Sequence, residues 1–329
     1  MIRISYFILL FCTFYSCKNN VSNEHKDASI SDTLTYYNNI LISHPNEDSI
    51  LYRKGIYLIQ HNSLDSGLIS LELAIKINKK TPSYFYSLSD AYLLALESKK
   101  AESILDTLNL YFPDHLPSLL KNARLKLILK KYSDALTIID YVFLLDPNNV
   151  EANYLAGHIF YEQGDTGRAV KCYQKSVDLN PEYLEGWIQL GDIMTALRNP
   201  IAIKYYDNAI RLDSSNIETL HNRAYSIQLF GKKSEAIQAY KKNILQRPDF
   251  ELSFYNLGII YEEMDSFALA VDNLNHAILL NPKEPSSYYH RGLCKNKLGQ
   301  NEESKSDLKQ AIKLFPDYQK AILLLNKIK

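Results

Sequence analysis

The sequence predicts an all-α solenoid of about eight helix-turn-helix units, closed by a capping helix at each end. Three observations carry that expectation. The first is a period. Pro45, Lys79, Pro113, Pro147, Pro181, Ser214, Pro248, Pro282 and Pro316 stand 34 residues apart, except for a 33-residue step from Pro181 to Ser214. Repeats of this length bury their apolar faces only against their neighbours. The second is the content of each period. A large apolar residue comes six positions after the mark (Leu51, Phe85, Leu119, Trp187, Leu220, Phe254, Tyr288, with Asn153 the exception). A small residue follows at Gly55, Ser89, Ala123, Gly157, Gly191, Ala224, Gly258 and Gly292, and another at Gly67, Ala101, Ala135, Ala169, Ala202, Ala236, Ala270 and Ser304. Four positions later sits a bulky one: Leu71, Leu105, Ile139, Tyr173, Tyr206, Tyr240, Leu274, Leu308. The third is composition: 11 glycines and 11 prolines in 329 residues leave room for helix almost everywhere, and proline holds seven of the nine marks.

Taken in order, residues 1–17 differ from the rest. Arg3 gives a short positive start, and Ile4 to Phe14 make an apolar run of eleven residues, short for a bilayer crossing. Ser16-Cys17 then ends it. This is the layout of a secretory signal peptide, and it resembles a bacterial lipoprotein signal, in which the cysteine is lipidated and becomes the first residue. Phe14 and Tyr15 are bulkier than that family's usual pair; an ordinary signal peptide or a retained anchor is the alternative. Lys18 stands where many lipoproteins of the inner membrane carry Asp, so the resemblance implies the outer membrane, facing the periplasm. The alternative is a cytoplasmic or membrane-anchored protein. Residues 18–30 are polar and read as a flexible tether. Residues 31–45 carry Leu34, Tyr37, Ile40 and Leu41 at helical spacing, a second helix without its first, and so an N-terminal cap.

Residues 46–316 hold the eight repeats, each a helix A, a turn and a helix B. Asn62, Gly164, Gly231 and Gly299 fall at turns, and Asn199-Pro200 makes a tight one, with Pro200 starting helix B of the shortened fifth unit. Residues 317–329 form the last helix. Ala321, Ile322, Leu324, Leu325 and Ile328 would cover the final repeat, with Lys320, Lys327 and Lys329 facing water. An uncapped end repeat would expose its apolar face.

The large-small-small-bulky-proline pattern, best matched from Asn153 to Pro316, resembles the tetratricopeptide repeat across residues 31–329. The resemblance implies a right-handed superhelix with a concave groove lined by helix A. In that register the residue after the large apolar one faces inward: Tyr52, Tyr86, Leu120, Tyr154, Ile188, His221, Tyr255 and Tyr289. Five tyrosines in eight positions exceed what even 25 tyrosines in the chain predict. Rigid amphipathic rings suit the grip on a peptide, although they also suit packing between A helices. At the next position Asn222 and Asn256 resemble the asparagines that hold a bound backbone. Asp192, Glu262 and Glu263 make the groove of units four to seven acidic, so that it favours a basic, apolar segment; Glu151, Glu185 and Glu218 answer the helix dipole. Lys121 and Arg124 make unit three basic, and the lysines from 121 to 131 read as a solvated face. Trp187 reads as core.

The charges balance, 37 basic against 37 acidic, so global charge gives no reason to expect nucleic acid. Histidines are scattered without metal-ligand spacing, and neither a phosphate-cradling glycine loop nor a nucleophile elbow is present. No cofactor is expected. The Lys/Arg/Asn clamp for acidic chaperone tails is missing, and Cys172 and Cys294 form no plausible pair. The expected function is a non-enzymatic, membrane-tethered scaffold that binds protein segments in a tyrosine-lined groove within an envelope assembly. The alternatives are an intracellular or membrane-anchored adaptor or co-chaperone, and an accessory subunit of a secretion, cell-wall or polysaccharide enzyme machine.

Overall fold

The computed structural model describes residues 23–328, with side chains from Asp32 onward. Cys17 and the leader lie outside the described residues, as does the tether before Asn23. All regular structure among the described residues is helical. After α1 (Asn23–Ser43), eight A helices alternate with eight B helices. The A helices are α2 (Asp48–Gln60), α4 (Pro82–Leu94), α6 (Leu116–Ile128), α8 (Val150–Glu162), α10 (Leu184–Ala196), α12 (Ile217–Phe230), α14 (Glu251–Glu263) and α16 (Pro285–Lys297). The B helices are α3 (Leu64–Ile77), α5 (Ser98–Tyr111), α7 (Tyr132–Leu145), α9 (Thr166–Leu179), α11 (Ala202–Leu212), α13 (Lys233–Gln246), α15 (Phe267–Leu280) and α17 (Asn301–Leu314), and α18 (Gln319–Lys327) follows. The chain divides into two compact units after Ile159. Each is a stack of helical hairpins, the all-α solenoid class expected. No described helix is long and apolar enough to cross a membrane.

The periodic residues do what their sizes dictate. All eight bulky B-helix residues, from Leu71 to Leu308, are 1% exposed or less. They fill space that the small A-helix residues leave open. A methyl group added at Gly191 would stand 2.6 Å from the Tyr206 ring, one at Gly258 2.9 Å from Leu274, and one at Gly55 2.8 Å from Leu71. Each buried Leu or Tyr contributes on the order of 1.5–3 kcal/mol, and few helix starts are capped by side chains. Asp165, Asn216, Glu284 and Asn149 supply the caps, so hairpin packing carries most of the stability.

Several boundaries differ from the sequence expectation. Helix α1 begins at Asn23, inside the stretch read as tether. Residues 23–30 are polar but contain neither Gly nor Pro, so nothing in them stops a helix that Leu41 anchors on the Leu51, Ala74 and Tyr84 cluster. Pro200 lies in the turn, and α11 starts at Ala202 and is the short B helix of the fifth repeat. Seven hairpin turns place one residue in the left-handed region: Asn62, Leu96, Lys130, Gly164, Arg198, Asp265 and Gly299. Gly231 is the exception. There α12 runs one residue longer than the other A helices, and Gly231 is extended at φ −103°. Trp187 is half-buried rather than core, its indole N–H donating to the Pro181 carbonyl at 2.9 Å. At the far end Ala321 is buried, and Leu324, Leu325 and Ile328 pack on the last repeat.

Candidate functional site

Within each unit the A-helix residues expected to face a groove are tied to one another from repeat to repeat. In the first unit Tyr52 stacks on Tyr84, with ring centroids 4.6 Å apart, and its hydroxyl meets Ser87 at 3.0 Å. Tyr86 repeats the motif one repeat on, with its hydroxyl 3.0 Å from Ser118. Burial pushes its phenol up from the ordinary range, and the Lys121 ammonium lies 5.6 Å from its ring centroid. Both rings are half-buried. Tyr154 is not accessible. It is buried, and its hydroxyl is 2.9 Å from His158 Nε2. Burial, reinforced by the Arg124 charge, holds the His158 imidazole down at about 4.

The basic character expected of the third repeat is neutralised. Lys121 pairs with Asp90 at 2.8 Å and Arg124 with Glu151 at 2.6 Å. Lys126 is buried against Glu102 and Asp106, and Lys131 also reaches Glu102. Lys126 is buried in such a pair, which corrects the solvated reading at that position, while Lys130 and Lys131 stay exposed. The cause is a carboxylate supply from the neighbouring repeats, Asp90, Glu102 and Asp106 before and Glu151 after, which the basic residues alone do not register.

In the second unit Asp192 accepts from the Tyr206 hydroxyl at 2.6 Å and from Asn222 Nδ2 at 3.1 Å. Asn256 Nδ2 lies 3.2 Å from His221 Nε2, so both asparagines are committed to neighbours. His221 is buried between Tyr240 and Phe250, and burial holds its pKa down at about 4. It serves packing and offers no groove surface. The accessible cluster lies on the last three A-type helices. Tyr289 approaches Tyr318 at 5.1 Å and His290 at 5.0 Å, and Tyr255 meets His290 edge-on at 5.9 Å. Burial pushes the phenols of Tyr255 and Tyr318 up from the ordinary range. Glu262 holds His290 Nδ1 at 2.8 Å, while Glu263 turns away to Lys233 at 3.0 Å.

One residue in this region escaped the sequence reading. Glu251, in the first turn of α14, has its pKa raised to about 7 by burial and then by the charge of Glu284. Its position at a helix start looks like any dipole-satisfying acid, and only the neighbouring repeat makes it different. The hydroxyl partners Ser87 and Ser118 also went unnoticed. Their signal was available: each lies about one repeat beyond the ring it holds.

Matches to known proteins agree with this architecture. Tetratricopeptide-repeat family models match residues 157–197, 253–284 and 285–318, so the chain carries tetratricopeptide repeats. A TPR repeat-containing protein of Methanocaldococcus jannaschii is 28% identical over 259 residues, covering 72% of this chain and 40% of that protein. The anaphase-promoting complex subunit cut9 of Schizosaccharomyces pombe is 26% identical, covering 78% and 38%. Human protein O-mannosyl-transferase TMTC3 is 24% identical, covering 56% and 21%. The chain therefore spans 21% to 40% of the length of these relatives. Among solved structures, the C-terminal part of a TPR repeat-containing protein from Cytophaga hutchinsonii superposes with a TM-score of 0.58 at 17% identity, covering 72% of this chain and 98% of that one. Cut9 in its complex with Hcn1 gives 0.54 at 18%, covering 90% and 58%. These likenesses establish the fold. Tetratricopeptide relatives of this kind point to a protein-interaction scaffold, and the fold is typically non-catalytic.

Proposed function

We propose that the chain is a non-enzymatic scaffold, tethered to a bacterial envelope membrane through lipid on Cys17, that holds partner protein segments against its A-helix face. The observation that carries this reading is the recurrence of half-buried phenol rings on successive A helices, Tyr52 and Tyr86 in one unit and Tyr255 and Tyr289 in the other, each braced by a neighbouring side chain. A braced ring presents its remaining face at little entropic cost. Around Tyr255, the carboxylates of Glu262 and Glu284 act on the phenol, which favours a segment with basic and apolar residues. Tyr154 and His221, being buried, support this surface from behind.

The test is co-purification from detergent-solubilised membranes with a C-terminal tag. Partners recovered with wild type and lost with the Tyr86→Ala, Tyr255→Ala, Tyr289→Ala variant support the A-helix face as the binding surface. Partners retained by a variant of unchanged helicity move recognition elsewhere. Recovery of the protein in the soluble fraction with residues 1–17 intact overturns the lipid tether.

A further inference from the structure

The B-helix side carries a periodic feature of its own. Ile42, Leu110, Leu144, Leu245 and Leu279 share one repeat position near the end of the helix, and all are 78% to 84% exposed. A lone exposed leucine is ordinary on a protein surface. Here the residues fall in consecutive repeats, Leu110 with Leu144 in the first unit and Leu245 with Leu279 in the second. The adjoining position adds Tyr111 and Leu145 to the first set and Leu280 to the second, all partly exposed. Each unit thus displays exposed apolar residues on consecutive repeats with no covering element among the described residues, the kind of surface that marks an interface.

The two patches are flanked by opposite charge. One helical turn before the leucines stand Asp106 and Asp140 in the first unit, and Lys241 with its neighbour Lys242 in the second. Asp106 is shared with Lys126. Asp140, Lys241 and Lys242 are exposed and make no ion pair among the described residues. Bringing two like patches together would set aspartate on aspartate or lysine on lysine. Bringing unlike patches together joins leucine to leucine while pairing the flanks, and complementarity of this kind selects the partner. The surface lies on the B helices, separate from the A-helix residues assigned to other proteins.

We infer that the occupant of each patch is a second copy of this chain: the Leu110 and Leu144 patch of one copy packs on the Leu245 and Leu279 patch of the next, with Asp140 facing Lys241 and Lys242. The contact is head-to-tail in kind, so it closes into a ring or a dimer or runs on as a chain, depending on the rotation it imposes.

The experiment uses two full-length copies bearing different tags, co-expressed and extracted in non-ionic detergent, with one tag captured and the other quantified. Wild-type copies are expected to co-purify. Asp140→Lys in both copies, or Lys241→Asp with Lys242→Asp in both, sets like charges together and should lower recovery at least about tenfold, as should Leu144→Gln with Leu279→Gln. One copy with Asp140→Lys and the other with the two lysine reversals restores opposite charges in the contact, and recovery should return. All five positions are on the surface, so helicity measured by circular dichroism should not change. Absence of wild-type recovery, recovery indifferent to both charge reversals, or failure of the mixed pair to recover each overturns the proposal.

Discussion

At the scale of single residues, the half-buried His158 and the buried His221 set a pH dependence. His158 in the first unit and His221 in the second are held at about 4 in the folded state by burial, against about 6.5 in an unfolded chain. The unfolded chain therefore binds more protons between those values. The stability these groups allow is fully present above pH 6.5 and is lost as pH falls toward 4, by about 3 kcal/mol each. Glu251 has the opposite sign. Its pKa near 7 means a contribution complete below the ordinary carboxylate range and lost as pH rises through 7. Urea melts at pH 7.5 and 4.5 should show a marked acid loss that His158→Gln or His221→Gln reduces, whereas Glu251→Gln, by removing a contribution of opposite sign, should deepen it. An acid loss unchanged by either histidine substitution would assign it to other groups. Why the fates of the ring ladder were hard to read is visible in these same residues. Helical register put Tyr52, Tyr86, Tyr154, His221, Tyr255 and Tyr289 on one row, yet Tyr154 is buried with His158, one turn along its helix, and His221 is buried by Phe250 at the entry to the next A helix. Exposure along a row is decided by residues outside the row.

At the scale of the element, the hairpin turn is the place where sequence and backbone disagree. Leu96, Lys130 and Arg198 hold the left-handed conformation at φ 60°, 58° and 58°, a region that costs a side-chain-bearing residue roughly 1–2 kcal/mol. Leu96→Gly, with its side chain 92% exposed, should therefore gain about 0.5–1 kcal/mol after the added freedom of the unfolded chain is counted. Gly164→Ala should lose about 1 kcal/mol, since open space surrounds the site and only backbone strain is added. Both are read by the midpoint of a denaturant curve at unchanged slope. Gly231→Ala is expected to cost less backbone strain than Gly164→Ala, because its φ is negative. The hairpins themselves were legible, because their signal is a size pattern that packing enforces at every period. Gly231 looked like its counterparts and is not, because the preceding helix extends by one residue. The start of α1 was missed for a related reason: polarity marks exposure, and it does not mark the end of a helix.

At the scale of the whole molecule, stability is assembled from neighbours, and damage should stay local. Leu274→Ala opens a cavity in the second unit at a cost of about 2–5 kcal/mol. Amide exchange should then accelerate from α14 through α17 and remain at wild-type rates in α2 to α5. Uniform acceleration would indicate that the chain unfolds as one cooperative body. The same modular construction gives the chain a characteristic response to tension. Pulled from its two ends, it should yield hairpin by hairpin, each event releasing one 34-residue period and about 120 Å of contour length. The shortened fifth repeat would give one slightly smaller step. A filament of such modules behaves as a ratcheted spring: its extension is counted in periods, and each period can re-form on the neighbour that remains.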